Sequence, residues 1–296
     1  MGRFSVTPWL ESKVHGSDAS VETARLITRA VFAVWFLIVL TAQAPFIRQL
    51  PIGLFNPVGF LKAVPASVHL FLLQADTFQA LKVLTLFSLG CAAISSRFQL
   101  SAAVASCLFL TLIEGIYRSF GGHVNHTDLV FLYAAYLVTL FPLVDHFAGR
   151  QKQTAGAVYV AVIAFMLVTY MMTGVFRLAH GRLDVFLDDS ITYWTIQNSF
   201  STAKGFWQPG RLVLDYEWIR ILLKMGFPLV TLIEALAPLC LISKPFRVIF
   251  LIVMAPFHVL SWLFLKIFFW HNLILFVLLL DFDSFVRKTK WMRWVV

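Results

Sequence analysis

The sequence predicts an all-α, polytopic integral membrane protein of about eight transmembrane helices, with both termini on the cytoplasmic side. Three observations carry this expectation. Hydrophobic residues fill 59% of the 296 positions, and mean hydropathy is +0.81. Charged residues make up only 13%, about half the ~25% usual in soluble domains. Apolar runs near the ~20 residues needed to cross a bilayer recur along the whole chain. A soluble domain of this length has no core large enough to hide so much apolar surface. Disorder is excluded by 30 Phe and 9 Trp, far too many for a chain that avoids packing.

In chain order, residues 1–23 are mixed and polar, with no short apolar stretch before a small-residue cleavage site. They are expected to be a cytoplasmic segment, the first span serving as its own insertion signal. The membrane domain is expected over 24–285. Its spans are Ile27–Ala44, Thr77–Ile94, Leu100–Tyr117, Asp128–Val144, Ala155–Val175, Ile221–Ile242, Val248–Leu265 and Phe268–Leu280. Ala66–Leu73 is too short to span and follows Pro51, Pro57 and Pro65, so it reads as interfacial or re-entrant. The stretch 177–220 is the one long hydrophilic excursion, carrying Asp184, Asp188, Asp189, Asp215 and Glu217 among Trp194, Trp207 and Trp218. It is expected as an outer-face loop. Residues 286–296 form a basic tail with Arg287, Lys288, Lys290 and Arg293.

Orientation follows from the distribution of Lys and Arg. With the N-terminus inside, the cytoplasmic side receives 13 of the 24. Six of the other 11 lie in or beside 176–224, and long translocated segments count little in this rule. The net charge of +9 therefore reflects loops facing anionic headgroups rather than nucleic acid. The expected partner is the bilayer, and the expected location an integral membrane, the bacterial cell (inner) membrane. Cys91, Cys107 and Cys240 lie inside apolar runs with no paired spacing, so no disulfide framework is expected.

Ionisable side chains inside spans cost several kcal/mol unless paired, and so mark candidate sites. Glu114 lies in the third span, Glu234 in the sixth and His258 in the seventh; Lys266 and His271 flank the turn into the eighth. His123, Asn125 and His126 stand at the start of the fourth, Arg177 and His180 at the end of the fifth. With the N-terminus inside, Asn125, His126, Arg177, Arg118 and His271 all fall at the outer face. That convergence predicts a polar pocket between helices, opening outward and otherwise lined by apolar side chains. Each residue taken singly is equally an interfacial anchor or an interhelical hydrogen-bonding group. A mid-span His258 needs a partner, with Ser261 or Glu234 in reach of the same helices. His123, His126 and Asp128 make a poor metal set, because Gly121 and Gly122 argue for a loop. No metal is expected. The glycines form no phosphate-binding or dinucleotide pattern.

Three segments in order carry a family likeness: Asn125-His126-Thr127-Asp128-Leu129 opening a helix that ends Leu140-Phe141-Pro142, Tyr170 to Leu178 with Gly174-Val175-Phe176-Arg177, and Glu234 to Pro238 followed by Phe257-His258 and Ile267-Phe268-Phe269. Over most of residues 20–285 the chain resembles the HTTM family, the transmembrane domain of vitamin K-dependent gamma-carboxylase and its bacterial relatives. The resemblance implies a helical membrane domain with a site at its non-cytoplasmic face, a quinone-type cofactor, and roles for Asn125 with His126 and for Phe257 with His258. The carboxylase's lysine segment, Gly-Val-Lys-Lys-Leu, reads Gly174-Val175-Phe176-Arg177-Leu178 here.

Both lysines are gone, and this decides the chemistry expected. A desolvated lysine reaches its neutral form near neutral pH and accepts a proton. Arginine stays protonated and cannot. Ordinary glutamate carboxylation is thereby excluded, and Arg177 is expected to clamp an anion or an enolate-like oxygen. One function reading is an enzyme on a quinone or other lipophilic substrate, with His126, Arg177 and His258 catalytic and Asn125, Glu114, Glu234, His180 and His271 binding. The other is a non-catalytic membrane partner in peptide-toxin maturation, export or immunity. A transporter is disfavoured, since no inverted repeat or paired broken span is visible.

Overall fold

The computed structural model describes residues 18–41, 51–120, 127–148, 151–181, 189–201, 209–265, 273 and 275–280. Among these the chain is all-helical, without strands. The helices are α1 (Asp18–Thr41), α2 (Ala66–Leu73), α3 (Ala75–Ile94), α4 (Gln99–Phe120), α5 (Thr127–Ala148) and α6 (Gln151–Gly181). They continue with α7 (Ser190–Ser201), α8 (Pro209–Asp215), α9 (Glu217–Ala235), α10 (Leu239–Ile242) and α11 (Lys244–Leu265).

Among the described residues, five helical stretches are long and apolar enough to cross a membrane: Val21–Thr41, Ala75–Ile94, Gln99–Phe120, Ala155–Gly181 and Lys244–Leu265. A shorter apolar stretch, Phe131–Val144, lies in α5. Their outward faces keep large apolar groups, with Ile94 81%, Phe87 72% and Ile252 66% exposed. Such surfaces are unfavourable in water and compatible with lipid.

Local sequence explains where the helices begin and end. Pro65 precedes α2 and Gln74, extended at φ −60° and ψ 137°, separates it from α3. The expected interfacial segment Ala66–Leu73 is thus a separate helix of eight residues. The expected sixth span is broken: α9 stops at Ala235 and a turn over residues 236–238 leads into the four residues of α10. Pro238 supplies no N–H there and cannot continue the ladder. The Ser243 hydroxyl accepts the Phe246 N–H at 3.3 Å, capping α11. Buried hydroxyls bond back to the preceding turn, as in Thr28 to the Ala24 carbonyl at 2.8 Å and Thr85 to the Leu81 carbonyl at 2.7 Å. Each of these two hydroxyls is thereby satisfied where lipid offers no partner.

The described residues form two compact units, one within 13–162 and one within 163–282, the division falling inside α6. The N-terminal unit packs α1, α3, α4 and α5 side by side. Phe32, Trp35, Leu110, Ile116 and Phe131 are fully enclosed in it. The Trp35 indole donates to the Phe131 carbonyl at 3.2 Å, so its one polar atom is satisfied. In the C-terminal unit α7, α8, α9 and α11 pack together. Its buried centre includes Tyr170, Phe250, Met254, His258 and Phe276.

Candidate functional site

The C-terminal unit brings two polar pairs onto one stripe of α6. Tyr170, Gly174 and Arg177 are spaced four and three residues apart, so they share one helix face. At the far end of this stripe the Arg177 guanidinium pairs with the Glu234 carboxylate of α9. The Glu234 side chain is only 3% exposed, that of Arg177 30%. The guanidinium also lies over the Phe227 ring, 5.3 Å from its centroid, a favourable cation–π placement. Two turns earlier, about 10 Å along the axis, the Tyr170 hydroxyl and His258 Nε2 are 2.6 Å apart. His258 is 3% exposed. Phe250, Phe257 and Phe276 surround this pair with ring centroids 5.5–5.6 Å away from one or other ring.

At Gly174, between the pairs, α6 lies against the backbone of α9. A Cβ built there would sit 2.7 Å from the Thr231 carbonyl oxygen and 2.8 Å from the Ala235 Cα. Only a residue without a side chain permits that approach, the usual role of small residues at membrane helix contacts. The helices are thus held at a separation that lets Arg177 reach Glu234.

Beside these pairs α7, α9 and α11 enclose a cavity of about 290 Å³. Its wall is almost wholly apolar, including Ile191, Leu223, Phe227, Val230, Val253, Phe257 and Phe264. Two wall residues join it to the polar pairs: Phe227 underlies Arg177, and Phe257 flanks His258. Gly226 also lines it, and a Cβ added there would meet nothing within 4 Å. Ser261 contributes a buried hydroxyl with no hydrogen-bond partner. Pro256, in the same wall, lacks an N–H, which frees the Ile252 carbonyl from its helical donor.

Of the residues singled out in the sequence, Arg177, Glu234 and His258 are thus gathered in one unit. The partner expected for His258 is corrected: Nε2 meets Tyr170, while Glu234 is engaged by Arg177 and the Ser261 hydroxyl is unpartnered. His180 is exposed at the end of α6, its Nδ1 3.0 Å from the Phe176 carbonyl and its ring stacked on Phe176 at 3.9 Å. Glu114 belongs to the N-terminal unit, where Arg118 one turn on pairs with it at 3.2 Å. Asn125, His126, His123, Lys266 and His271 lie outside the described residues. Among the described residues no three His, Cys, Asp or Glu side chains converge as a metal set would need.

Sequence reasoning gave no site role to Tyr170 or Lys82. Tyr170 reads as one more aromatic in an apolar run, although its hydroxyl needs a partner once buried. Lys82 sits in the middle of α3 and was visible as an in-span charge; with Glu114 and Tyr117 it lines a cavity of about 20 Å³, room for about one water molecule.

Tyr170→Phe removes one interhelical hydrogen bond without changing the ring packing. Such bonds are worth about 0.6 kcal/mol on average and up to ~1.7 in membranes. A fall of about 0.5–2 kcal/mol in unfolding free energy by SDS titration is expected, and an unchanged curve would remove the pair from the account of stability. Comparison of the chain with protein-family models, with curated proteins and with solved structures finds no match to any of them.

Proposed function

We propose that this is an HTTM-like integral membrane protein that binds a quinone or another lipophilic molecule in the cavity between α7, α9 and α11, and acts on it with Arg177, Glu234, Tyr170 and His258. The topology proposed is eight spans with both termini in the cytoplasm of a bacterial cell. One observation carries the reading: the apolar cavity adjoins both buried polar pairs through Phe227 and Phe257. Sites for small lipophilic molecules have this build, mostly apolar with a few placed polar groups. At about 290 Å³ the cavity falls just short of the ~300–1,000 Å³ typical of ligand pockets.

The chemistry open to these groups is limited. Arg177 holds positive charge at any ordinary pH and serves as a fixed electrostatic clamp. Proton transfer falls to His258, in contact with the Tyr170 hydroxyl. The same reading keeps ordinary vitamin K-dependent carboxylation out, because the lysine segment is replaced at Phe176 and Arg177.

Gly226→Phe is the decisive variant. Gly226 lines the cavity and a Cβ added there meets nothing within 4 Å, so the side chain starts from open space. The protein, purified in mild detergent, is analysed for bound quinones and lipids by mass spectrometry. A discrete compound present in wild type and lost in Gly226→Phe, with thermal stability retained, is the expected result. If both proteins carry the same nonspecific lipids, the ligand-site reading fails and the non-catalytic membrane partner, acting in peptide-toxin maturation, export or immunity, takes its place.

A further inference from the structure

The cavity between α7, α9 and α11 holds one polar group that its apolar wall does not account for. A hydroxyl inside a helix commonly bonds back to the carbonyl one turn earlier. Thr195 of α7 donates to the Ile191 carbonyl at 2.8 Å in this way, and Thr231 of α9 to the Phe227 carbonyl at 2.9 Å. Ser261 of α11, which lines the cavity, does otherwise. The residue is only 4% exposed, and its hydroxyl bonds neither to the Phe257 carbonyl one turn back nor to any other group among the described residues. A buried hydroxyl without a partner is destabilising, and lipid tails offer it none.

The rest of the lining limits what can meet it. No charged side chain appears among the described residues that form the wall. The one other hydroxyl among them, Thr195, already gives its proton to Ile191. A single donor thus stands open in an otherwise apolar enclosure. A carboxylate, phosphate or ammonium placed there would be a desolvated charge with no counter-ion in the wall, a costly group to bury. A neutral oxygen beside Ser261 avoids that cost and satisfies the hydroxyl.

We propose that Ser261 is the polar anchor of this cavity, and that the occupant is an uncharged lipophilic molecule whose hydroxyl or carbonyl oxygen accepts the Ser261 O–H. The assignment rests on the reading of the cavity as a ligand site and narrows it. Fatty acids, phospholipid headgroups and lipophilic amines are excluded, while neutral alcohols, phenols and ketones are admitted.

Three two-ring probes of similar shape test this at neutral pH: naphthalene, β-naphthol and the anion β-naphthoate. Each is titrated into the full chain in neutral detergent while thermal unfolding is followed, with Gly226→Phe reporting effects that do not come from the cavity. Wild type is expected to show a saturable rise in Tm with β-naphthol, at a midpoint about two- to tenfold below that for naphthalene, the scale of one net hydrogen bond. No saturable rise is expected with β-naphthoate. In Ser261→Ala the preference for β-naphthol should vanish while the naphthalene midpoint and the ligand-free Tm are kept. Equal midpoints for naphthalene and β-naphthol in wild type, both lost in Gly226→Phe, overturn the anchor and leave the ligand site standing. A preference that persists in Ser261→Ala, or a rise with β-naphthoate that Gly226→Phe abolishes, also overturns the proposal. No saturable rise with any probe removes the ligand site and the anchor together.

Discussion

Arg177→Ala is expected to cost about 3–5 kcal/mol, the range for breaking a buried ion pair by removing one partner. The direction and the size both follow from the asymmetry of burial. Glu234 is nearly enclosed, its side chain 3% exposed, whereas Arg177 is 30% exposed. Removing the arginine strands a carboxylate among apolar side chains, where an unpaired charge is most expensive. Glu234→Gln is expected to cost less, because the cation it leaves has a route to polar surroundings along its own flexible stem. The double variant Arg177→Ala with Glu234→Gln removes the stranded charge and should recover about 1–3 kcal/mol of the loss, the usual coupling of residues in contact. SDS titration of the four proteins closes the cycle. A double-variant loss equal to the sum of the two single losses would mean the pair is not coupled.

Gly174→Val should be a strongly damaging change at the backbone contact of α6 with α9. The atoms an added Cβ would meet are backbone: the Thr231 carbonyl at 2.7 Å and the Ala235 Cα at 2.8 Å. A side chain can swing aside, but a helix backbone must move as a body. Overpacking in cores typically costs about 1–3 kcal/mol, and Val, with no rotamer that avoids the contact, belongs at or above the top of that range. Gly174→Ala combines the same clash with a gain of about 1 kcal/mol in helix propensity, so a smaller loss is expected. Gly226→Ala is the matched control, since nothing lies within 4 Å of its added Cβ; there the propensity gain of up to about 1 kcal/mol stands alone. Opposite signs at the two glycines, read by thermal unfolding of each protein, test the close approach directly.

The helical class and the five long apolar helices were legible because a segment able to span announces itself within about 20 consecutive residues. The edges were less so. The break at 236–238 depends on Pro238 ending a helix whose flanking residues, Leu236, Ala237 and Leu239, are all apolar. Hydropathy runs straight through such a place. The candidate site was legible as single residues: Arg177, Glu234 and His258 each stood out as an ionisable group in apolar surroundings. Their pairing was not, because Arg177 and Glu234 are 57 residues apart and Tyr170 and His258 are 88 apart. No local pattern encodes which of several in-span polar residues meet. Tyr170 was named only as part of a segment and given no role, since a phenol looks apolar until its burial makes the hydroxyl an obligation.

The Arg177–Glu234 pair also bears on how the chain is made. Synthesis delivers the arginine 57 residues before its carboxylate, roughly 3–11 s at the ~5–20 residues per second of translation. Throughout that interval the end of α6 carries a cation whose counter-charge does not yet exist. The nascent helix must therefore keep this end in the headgroup layer or beside the insertion machinery until α9 emerges. Assembly of the C-terminal unit is thus tied to the order of synthesis: a chain cut between α6 and α9 presents an uncompensated charge, a ready mark for membrane quality control.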